Sequence, residues 1–301
     1  MTKQTIVVLG STNTDMVIKT TKLPKPGETI LGGDFLMNPG GKGANQAVAA
    51  ARLNGHVTLV AKTGEDLFGS QAMKLFQDEK VNTDFLFTDP ESPSGIALIT
   101  VDEHAENCIV VAPGANARLL RADVEKAANA INAAEIILMQ LEIPLDTVCY
   151  AAEIAFNAGK KVILNPAPAQ PLPDELIKML YLITPNETEA ELLTGVPVTD
   201  VKSAESAARR LLAKGVQVVV VTLGSRGALL VTADQCHLIP SFKVKAVDTT
   251  AAGDCFNGAL AVAIAEGAGL ENAIAFANKA ASISVTRMGA QVSAPYRDEV
   301  L

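Results

Sequence analysis

The 301-residue sequence lacks the features that mark several large classes of protein. No run of Lys and Arg forms a basic patch, and the formal net charge of −8 argues against a surface for nucleic acid. No apolar stretch approaches the ~20 residues of a membrane span, and the apolar segment near the start is too short for a signal peptide. We therefore expect a soluble cytoplasmic protein that binds neither nucleic acid nor a membrane.

Cysteine and histidine are sparse as well. The four cysteines have no CxxC spacing, which indicates free thiols in a reducing compartment. The three histidines show no metal-ligand spacing, and no Ser/His/Asp order with a nucleophile elbow is present. Hydrophobic residues make up 49% of the chain and charged residues 19%, which favours a sizeable core over disorder.

Short β-branched runs alternate with Ala-rich runs, which is the pattern of a doubly wound α/β sheet. Most strand-like runs are continuously apolar, as expected for parallel strands covered on both faces. The predicted strands are 6–10, 57–64, 135–142, 161–167, 181–186 and 216–224. The predicted helices are 43–53, 68–80, 121–134, 144–158, 187–194, 203–214, 252–266 and 270–286. After residue 217 the strand-like runs VVVVTLG, GALLVTA, CHLIP and FKVKAVD follow closely, so antiparallel additions to one sheet edge are expected.

Two segments depart from this rhythm. Residues 14–37 alternate polar and apolar side chains around a PKPGE turn, and residues 94–111 have the pattern of a hairpin with a polar tip. Each predicts a pair of half-exposed strands. Together they predict a small β-sheet that serves as a lid, a dimer surface, or both. We expect a single α/β domain over 1–301, with the lid formed by these two insertions.

The stretch DTTAAGDCFNGAL (248–260) places a carboxylate, Asp254, where a strand-like run gives way to a helix. Ala251, Ala252 and Gly253 keep the backbone bare there. Unpaired N–H groups at a helix start can hold phosphoryl oxygens, and Asp254 would stand beside them as a base. Alternatively, Asp254 is a first-turn acid that only complements the helix dipole.

The glycine-rich stretch PGGKGANQAVAAA (39–51) permits a tight turn, with Lys42 and Asn45 at the start of a helix. It is not a P-loop, because Gly43 follows Lys42 where Ser or Thr is required. It is not a dinucleotide fingerprint, because Gln46 replaces the last glycine. A simple glycine-rich turn before a packing helix is the alternative interpretation.

In ITPNETEAELLTG (183–195), Asn186 and Glu189 stand three residues apart at a helix start. Their oxygens could hold a hydrated Mg²⁺, although first-turn acids usually complement the helix dipole.

Polar side chains also follow two predicted strands, at NTD (13–15) and QLE (140–142). The carboxyl ends of parallel strands border the crevice where α/β sheets bind ligands. The amides and carboxylates expected there suit a polyol, and they belong to Asn13, Asp15, Asn45 and Glu142.

Six stretches occur in an order that spans nearly the whole chain: GSTNTD, GGKGANQAVAAARL, LNPAPA, ITPNETEAELLTG, VVTLGSRGALL and DTTAAGDCFNGAL. On these motifs the sequence resembles the ribokinase family of sugar kinases (the PfkB superfamily). GGKGAN and DTxxAGD are weak signals alone and specific as a pair. The resemblance implies phosphorylation of D-ribose at O5 by ATP to give D-ribose 5-phosphate, with Mg²⁺ and K⁺ as further cofactors. It also implies a homodimer formed through the β lid.

The resemblance further implies roles for individual residues. Asp254 would be the catalytic base, with the N–H groups of Ala251, Ala252 and Gly253 holding the phosphoryl oxygens. The implied sugar-binding residues are Asn13, Thr14, Asp15, Gly41, Lys42, Gly43, Ala44, Asn45, Glu142 and Asp254. The implied nucleotide-binding residues are Asn186, Thr222, Leu223, Gly224, Ser225, Arg226, Gly227, Gly253, Asp254 and Asn278. The implied K⁺ site comprises Asp248, Thr250, Ser284, Arg287, Gly289 and Ser293, and Asn186 and Glu189 would organise Mg²⁺, partly through water.

One departure and several alternatives accompany this resemblance. Cys255 stands where these kinases commonly have Thr. It is of similar size, so we expect little effect, although a thiol beside the base could make the enzyme oxidisable. A 2-deoxyribokinase or another pentose or nucleoside kinase is the nearest alternative, although Asn13 and Asp15 favour a full complement of hydroxyls. A nicotinamide-dependent oxidoreductase and a non-catalytic sugar-binding protein are alternatives from other classes.

Overall fold

A computed structural model describes residues 5–104 and 106–301. Residues 1–4 and 105, which belong to the predicted domain and to the predicted 94–111 insertion, lie outside this description. The strands are β1 (Thr5–Leu9), β2 (Asn13–Lys19), β3 (Phe35–Gly40), β4 (His56–Gly64), β5 (Asn82–Asp89), β6 (Gly95–Val101), β7 (Asn107–Ala112), β8 (Ile136–Met139), β9 (Lys161–Leu164), β10 (Leu182–Ile183), β11 (Val218–Thr222), β12 (Ala228–Val231) and β13 (Cys236–Ile239). The helices are α1 (Lys42–Arg52), α2 (Leu67–Asp78), α3 (Arg121–Ala133), α4 (Leu145–Asn157), α5 (Asp174–Met179), α6 (Glu187–Thr194), α7 (Val201–Ala213), α8 (Ala252–Ala265), α9 (Leu270–Ser284) and α10 (Arg297–Val300).

The main sheet has nine strands in the order β13-β12-β11-β10-β9-β8-β1-β4-β5. Its pairs are parallel except for β11–β12 and β12–β13, which are antiparallel. The predicted doubly wound, mostly parallel α/β fold is therefore confirmed, including the antiparallel additions at one edge. The chain order reverses between β1 and β8, and ligands bind at such a reversal, beyond the carboxyl ends of the strands.

The core lies in two layers, one on each face of the main sheet. Ile6 and Val8 of β1 pack into the layer that contains α1, α8 and α9. Val7 and Leu9 pack into the opposite layer, with α3, α4 and α7. All four side chains are at most 1% exposed, and burying each contributes about 1.5–3 kcal/mol. A continuous apolar run suits β1 because both of its faces are covered.

Small residues bring the starts of α1 and α8 together. A Cβ added to Gly258 of α8 would lie 2.7 Å from the Gln46 carbonyl oxygen and 2.9 Å from the Ala49 Cβ atom of α1. A Cβ on Gly43 would lie 2.6 Å from the Ser11 nitrogen, just beyond β1. The glycine-rich and alanine-rich motifs are thus packed against each other and against the end of β1.

The two inserted segments form a separate four-stranded sheet in the order β3-β2-β6-β7, which confirms the small sheet. β6 and β7 form the predicted hairpin. β2 and β3 are antiparallel, and residues 20–34 between them contain no strand. This connection includes a turn within PKPGE, where the Glu28 N–H donates to the Lys25 carbonyl at 2.9 Å. The predicted pair of strands is therefore confirmed, although the connection between them is long.

Two other strand predictions differ from the structure. FKVKAVD (242–248) is not a strand, because residues 242–247 are exposed and have no ladder partner within residues 5–104 and 106–301. The backbone N–H groups of Val247 and Asp248 donate instead to the Val285 carbonyl, at 2.7 and 3.2 Å. Conversely, β5 at the sheet edge was not predicted, because its sequence NTDFLFTD is polar at both ends and half exposed. No helix among residues 5–104 and 106–301 is long and apolar enough to cross a membrane.

Candidate active site

Asp254 lies in the first turn of α8 and is 5% exposed. Its Oδ2 accepts a hydrogen bond from Asn45 Nδ2 and its Oδ1 accepts one from Gln46 Nε2, both at 2.9 Å. Burial raises the pKa of Asp254, while Lys42 and these two amides oppose the rise. α8 therefore presents a buried carboxylate that is held from two sides by the start of α1.

The start of α8 is open towards an anion. Ala251 precedes the helix in the left-handed conformation, with φ of 57°, and no side chain caps it. The Ala252 N–H donates to the Thr249 carbonyl at 3.2 Å. In the described part of the chain, the N–H groups of Gly253 and Asp254 have no hydrogen-bond acceptor, and a Cβ on Gly253 would meet nothing within 4 Å. Free donors in open space at a helix N-terminus suit a phosphoryl group.

A cavity of about 970 Å³ lies on one side of Asp254. The predicted nucleotide-binding residues that line it are Asn186, Thr222, Gly224, Ser225, Gly227, Gly253, Asp254 and Asn278. Two predicted members do not line it. Leu223 is buried, at 2% exposure, and the Arg226 guanidinium forms an ion pair with Glu187.

Of the predicted sugar-binding residues, Lys42 and Asp254 also line this cavity. The others gather around the ends of β1 and β8. Glu142 Oε2 accepts hydrogen bonds from the Ser11 hydroxyl at 2.5 Å and from the Lys42 backbone N–H at 3.0 Å. Asn13 is buried at the start of β2, and its Oδ1 accepts from Asn116 Nδ2 at 2.7 Å. The two strand ends and the start of α1 are thereby joined into one polar pocket wall.

Asp15 shares this wall. Burial raises the pKa of Asp15 to about 6, and the negative charges of Glu142 and Asp254 add to the rise. A Cβ on Gly40 would lie 2.3 Å from both Asp15 carboxylate oxygens, so the carboxylate lies directly over Gly40.

The side chains of the remaining predicted sugar-binding residues do not belong to this wall. Thr14 lies on the opposite face of β2 from its two neighbours, because side chains alternate along a strand. Gly43 and Ala44 are buried in α1, and the Ala44 N–H donates to the Ser11 carbonyl. Gly41 has φ of 89°, where a Cβ would lie 2.7 Å from the Asn13 nitrogen, so the turn requires glycine.

Two further observations concern what this wall could bind. Among the residues that the structure describes, Asn45 Oδ1 is buried without a hydrogen-bond partner, because the amide nitrogen of Asn45 is directed at Asp254. An orphaned buried acceptor is costly unless a ligand donates to it. Burial opposes the charged form of Lys42, yet nearby carboxylates, with Asp254 foremost, raise its pKa. The wall thus combines acceptors for hydroxyl groups with one firmly charged ammonium group.

Asn186 and Glu189 form a reciprocal capping box at the start of α6. Asn186 Oδ1 accepts from the Glu189 N–H at 2.8 Å, and Glu189 Oε2 accepts from the Asn186 N–H at 2.9 Å. Both residues therefore cap and stabilise the start of α6. Both residues also line the cavity, where amide and carboxylate oxygens fit a hydrated Mg²⁺.

Three residues of the predicted K⁺ site, Asp248, Thr250 and Gly289, come together. Asp248 Oδ1 accepts from the Thr250 N–H and Oδ2 from the Gly289 N–H, each at 2.9 Å. Although Asp248 is partly buried, these hydrogen bonds lower its pKa. Arg287 pairs with Glu299 instead. The Asp248 carboxylate beside a turn is a set of oxygen ligands that fits a hard cation. Ser284 is the last residue of α9 and Ser293 lies in the segment that follows, and their hydroxyls donate to the carbonyls of Ala281 and Ala290.

Cys255 does not behave as a reactive thiol. It is 3% exposed, and burial raises its pKa to about 12. A buried thiol in its neutral form is inert, so the expected sensitivity to oxidation does not fit this position.

Several buried polar residues of the site were not predicted. Ser11 and Asn165 lie in motifs that were quoted from the sequence, GSTNTD and LNPAPA, and their polarity at strand ends was the available signal. Thr184 and Asn257 also lie in such motifs, ITPNETEAELLTG and DTTAAGDCFNGAL. Asn116 lies outside them and carries no such signal, because its partners Thr12 and Asn13 are more than 100 positions away in the chain.

The fold is an α/β sheet, a buried carboxylate lies at a helix start that can bind an anion, and the polar wall beside it presents amide and carboxylate oxygens. These features match the class of enzymes that transfer a phosphoryl group to a polyol. Residues 3–297 match the family described as pfkB family carbohydrate kinase. A ribokinase of Haemophilus influenzae is 46% identical over 299 residues, covering 99% of this chain and 98% of that protein. A deoxyribokinase of Salmonella typhi is 40% identical, covering 96% and 95%.

A solved structure agrees with these relatives. The Arabidopsis thaliana ribokinase complexed with ribose and ATP superimposes with a TM-score of 0.94 at 34% identity, covering 99% of this chain and 97% of that one. The chain belongs to the PfkB family of carbohydrate kinases.

Proposed function

We propose that the protein transfers the γ-phosphoryl group of ATP to the 5-hydroxyl group of D-ribose. The observation that carries the proposal is the position of Asp254. Its buried carboxylate lies at the open start of α8, where it lines the 970 Å³ cavity and accepts a hydrogen bond from Asn45 of the polar wall. A base in that position faces the acceptor hydroxyl on one side and the donor phosphate on the other.

The wall around the end of β1 supports a polyol as the acceptor. Asn13, Asp15 and Glu142 present amide and carboxylate oxygens, and Asn45 Oδ1 is an unpaired acceptor. Sugar hydroxyls are donors that would satisfy it. Ribose has one hydroxyl group more than 2-deoxyribose. The acceptors named above could bind this additional donor, which favours ribose as the substrate. The deoxyribokinase relative at 40% identity keeps 2-deoxyribose as the second candidate.

The cavity supports ATP as the donor. It is large enough for a nucleotide, and the predicted nucleotide residues line it from three elements or loops: the start of α6, the turn after β11, and α9. A titratable carboxylate at one end and free helix N–H groups beside it orient the phosphate end towards Asp254.

The mechanism follows from these positions. Asp254 would accept the proton of the 5-hydroxyl as the oxygen attacks, which contributes roughly 10²–10⁴-fold to the rate. The N–H groups of Gly253 and Asp254 would hold the oxygens of the transferring phosphoryl group. Lys42 lies among carboxylates on the cavity wall and would offset the developing negative charge. Asn186 and Glu189 would hold Mg²⁺ through water, and this ion would neutralise phosphate charge.

The proposal includes activation by a monovalent cation, K⁺. Asp248 lies just before the turn that starts α8, and its carboxylate is tied to the N–H groups of Thr250 and Gly289. A cation held there would stabilise the backbone at 249–253, which carries the donors to the phosphoryl group.

The proposal also includes a homodimer through the small sheet, which we propose acts as a lid within a single domain. Every residue of β7 is exposed, and so are the apolar side chains of Phe35, Leu36 and Met37 on β3. An apolar sheet surface of this kind favours association. A second copy of the same sheet offers a surface of matching chemistry.

The test is a coupled ADP-release assay with ribose, 2-deoxyribose and a panel of pentoses and nucleosides. We expect ribose to give the largest kcat/KM. Higher kcat/KM with 2-deoxyribose would favour the second candidate. Binding of ribose with no ADP release would favour a non-catalytic sugar-binding protein, and NAD binding without kinase activity would favour an oxidoreductase.

A further inference from the structure

Gln46 belongs to a buried network of amide side chains that is hydrogen-bonded to Asp254. It lies in the first half of α1 and is 0% exposed. Its Nε2 donates to Asp254 Oδ1 at 2.9 Å and to Asn165 Oδ1 at 3.1 Å. Its Oε1 accepts from Gln140 Nε2 at 2.6 Å. All the polar atoms of the Gln46 side chain are therefore engaged inside the protein.

The network continues back to the helix that carries the base. Asn165 Nδ2 donates weakly to the Thr184 carbonyl at 3.4 Å. Thr184 Oγ1 donates to Asn257 Oδ1 at 2.7 Å, and Asn257 Nδ2 donates to the Gly253 carbonyl at 2.8 Å. A buried path thus leads from the carboxylate of Asp254 to the carbonyl of the residue before it.

The orientation of the Gln46 amide follows from its partners. Its nitrogen lies between two acceptor oxygens, those of Asp254 and Asn165, and its oxygen lies against the nitrogen of Gln140. The opposite orientation would place oxygen against a carboxylate and nitrogen against nitrogen. Gln46 therefore donates to Asp254 whenever the carboxyl group is ionised, because an ionised carboxylate can only accept.

We propose that Gln46 is a positioning residue for the base, which fixes Oδ1 of Asp254 and stabilises its ionised form by a neutral donor. This inference rests on the proposed function, because it gives Gln46 a part in the same phosphoryl transfer. A neutral amide suits this place. It supports the negative charge of the base without adding a cation that would bind the carboxylate and block the acceptor hydroxyl.

The charged groups around Asp254 make such a donor necessary. Lys42 of α1 favours the ionised form of Asp254. Glu142 beyond β8, Asp15 of β2 and Glu189 of α6 are negative charges that oppose it. On its own helix, the neutral thiol of Cys255 follows directly. Since one cation and three carboxylates surround Asp254, the two amide hydrogen bonds at 2.9 Å are needed to stabilise its ionised form.

The experiment compares Gln46→Met with Gln140→Met. Methionine keeps the length of the side chain and removes the donor. Both residues are 0% exposed, but Gln140 touches Gln46 and makes no hydrogen bond to Asp254. The wild-type and variant enzymes are assayed for kcat and KM for ribose between pH 5 and pH 9, and far-UV circular dichroism and thermal unfolding are recorded for each.

In Gln46→Met we expect the acid limb of kcat to move up by about one pH unit, since each hydrogen bond to a carboxylate lowers its pKa by about that much. We expect kcat on the alkaline plateau to fall about tenfold through lost orientation, with KM for ribose within about threefold. Gln140→Met should leave the acid limb in place. An unmoved limb in a folded Gln46→Met variant, or an equal movement in both variants, would overturn the proposal.

Two further measurements cover the other outcomes. Gln46→Glu has the same length and should fold if methionine is not tolerated. It places a second carboxyl group at the base, and two carboxyl groups in contact titrate as a coupled pair. The acid limb should therefore differ from that of the wild type in position or shape, and an identical limb would refute the proposal. A ¹³C NMR titration of the Asp254 carboxyl carbon, assigned with Asp254→Asn, needs no turnover. It should show the same rise in Gln46→Met, even if ribose proves not to be the acceptor.

Discussion

Replacing Asp254 by Asn removes the proposed base and keeps the size of the side chain. Both carboxylate oxygens of Asp254 accept from amide donors at 2.9 Å, from Asn45 and from Gln46. In Asp254→Asn, one of these donors would face an NH₂ group, so one hydrogen bond is lost. The structural cost is about 1–3 kcal/mol. For a chain of this length, this corresponds to a decrease in Tm of a few degrees.

The catalytic cost should be much larger than the structural one. Loss of the base should lower kcat by about 10²–10⁴-fold, which corresponds to about 3–5 kcal/mol of transition-state stabilisation. KM for ribose should change by only a few-fold, because the pocket wall remains. The assay is ADP release at saturating ribose and MgATP, with ribose binding followed by calorimetry.

Asp123→Asn is the matched control. Asp123 is also 5% exposed, but it pairs with Lys62 away from the cavity. This variant should lose stability and retain kcat. A kcat for Asp254→Asn within tenfold of wild type would refute the assignment of Asp254 as the base.

Three more predictions follow from the site and the small sheet. KCl should raise turnover several-fold in a buffer free of alkali cations, while a bulky ammonium chloride should not, and equal rates would contradict the cation site at Asp248. Ribose should slow hydrogen exchange in 14–37 and 94–111, and unchanged exchange would contradict the lid. Because the pKa of Asp15 is raised to about 6, its carboxylate is lost as pH falls through 6. KM for ribose should therefore rise below pH 6 in the wild type and stay flat in Asp15→Asn, and a flat wild-type profile would contradict this role.

The sheet was largely predictable from the sequence because its central strands are buried on both faces. β1 and β11 are continuous apolar runs, and α1 and α8 are rich in alanine. The errors fall where burial is partial. β5 is a half-exposed edge strand with polar ends, and FKVKAVD alternates as a strand does but has no strand to pair with. Alternation indicates a half-buried backbone, and it does not identify the partner.

The site was predictable only where a motif concentrates its residues. The glycine-rich stretch and the start of α8 each carry several functional groups within a few positions. Gln46, in contrast, was noted only as the residue that breaks a dinucleotide fingerprint. Its partners Gln140, Asn165 and Asp254 are 94, 119 and 208 positions away. No local pattern can bring such residues together, because their proximity is a product of the packing of α1 against α8.

That packing also connects the two motifs chemically. The absence of a side chain at Gly258 allows the start of α1 to reach Asp254, and Asn45 and Gln46, adjacent in α1, then hold one carboxylate oxygen each. Asn45 keeps a free acceptor, which suits contact with a sugar, whereas Gln46 has both ends engaged in the interior. We therefore propose different tasks for two neighbouring amides with the same donor chemistry: Asn45 would link Asp254 to the substrate, and Gln46 would link it to the core.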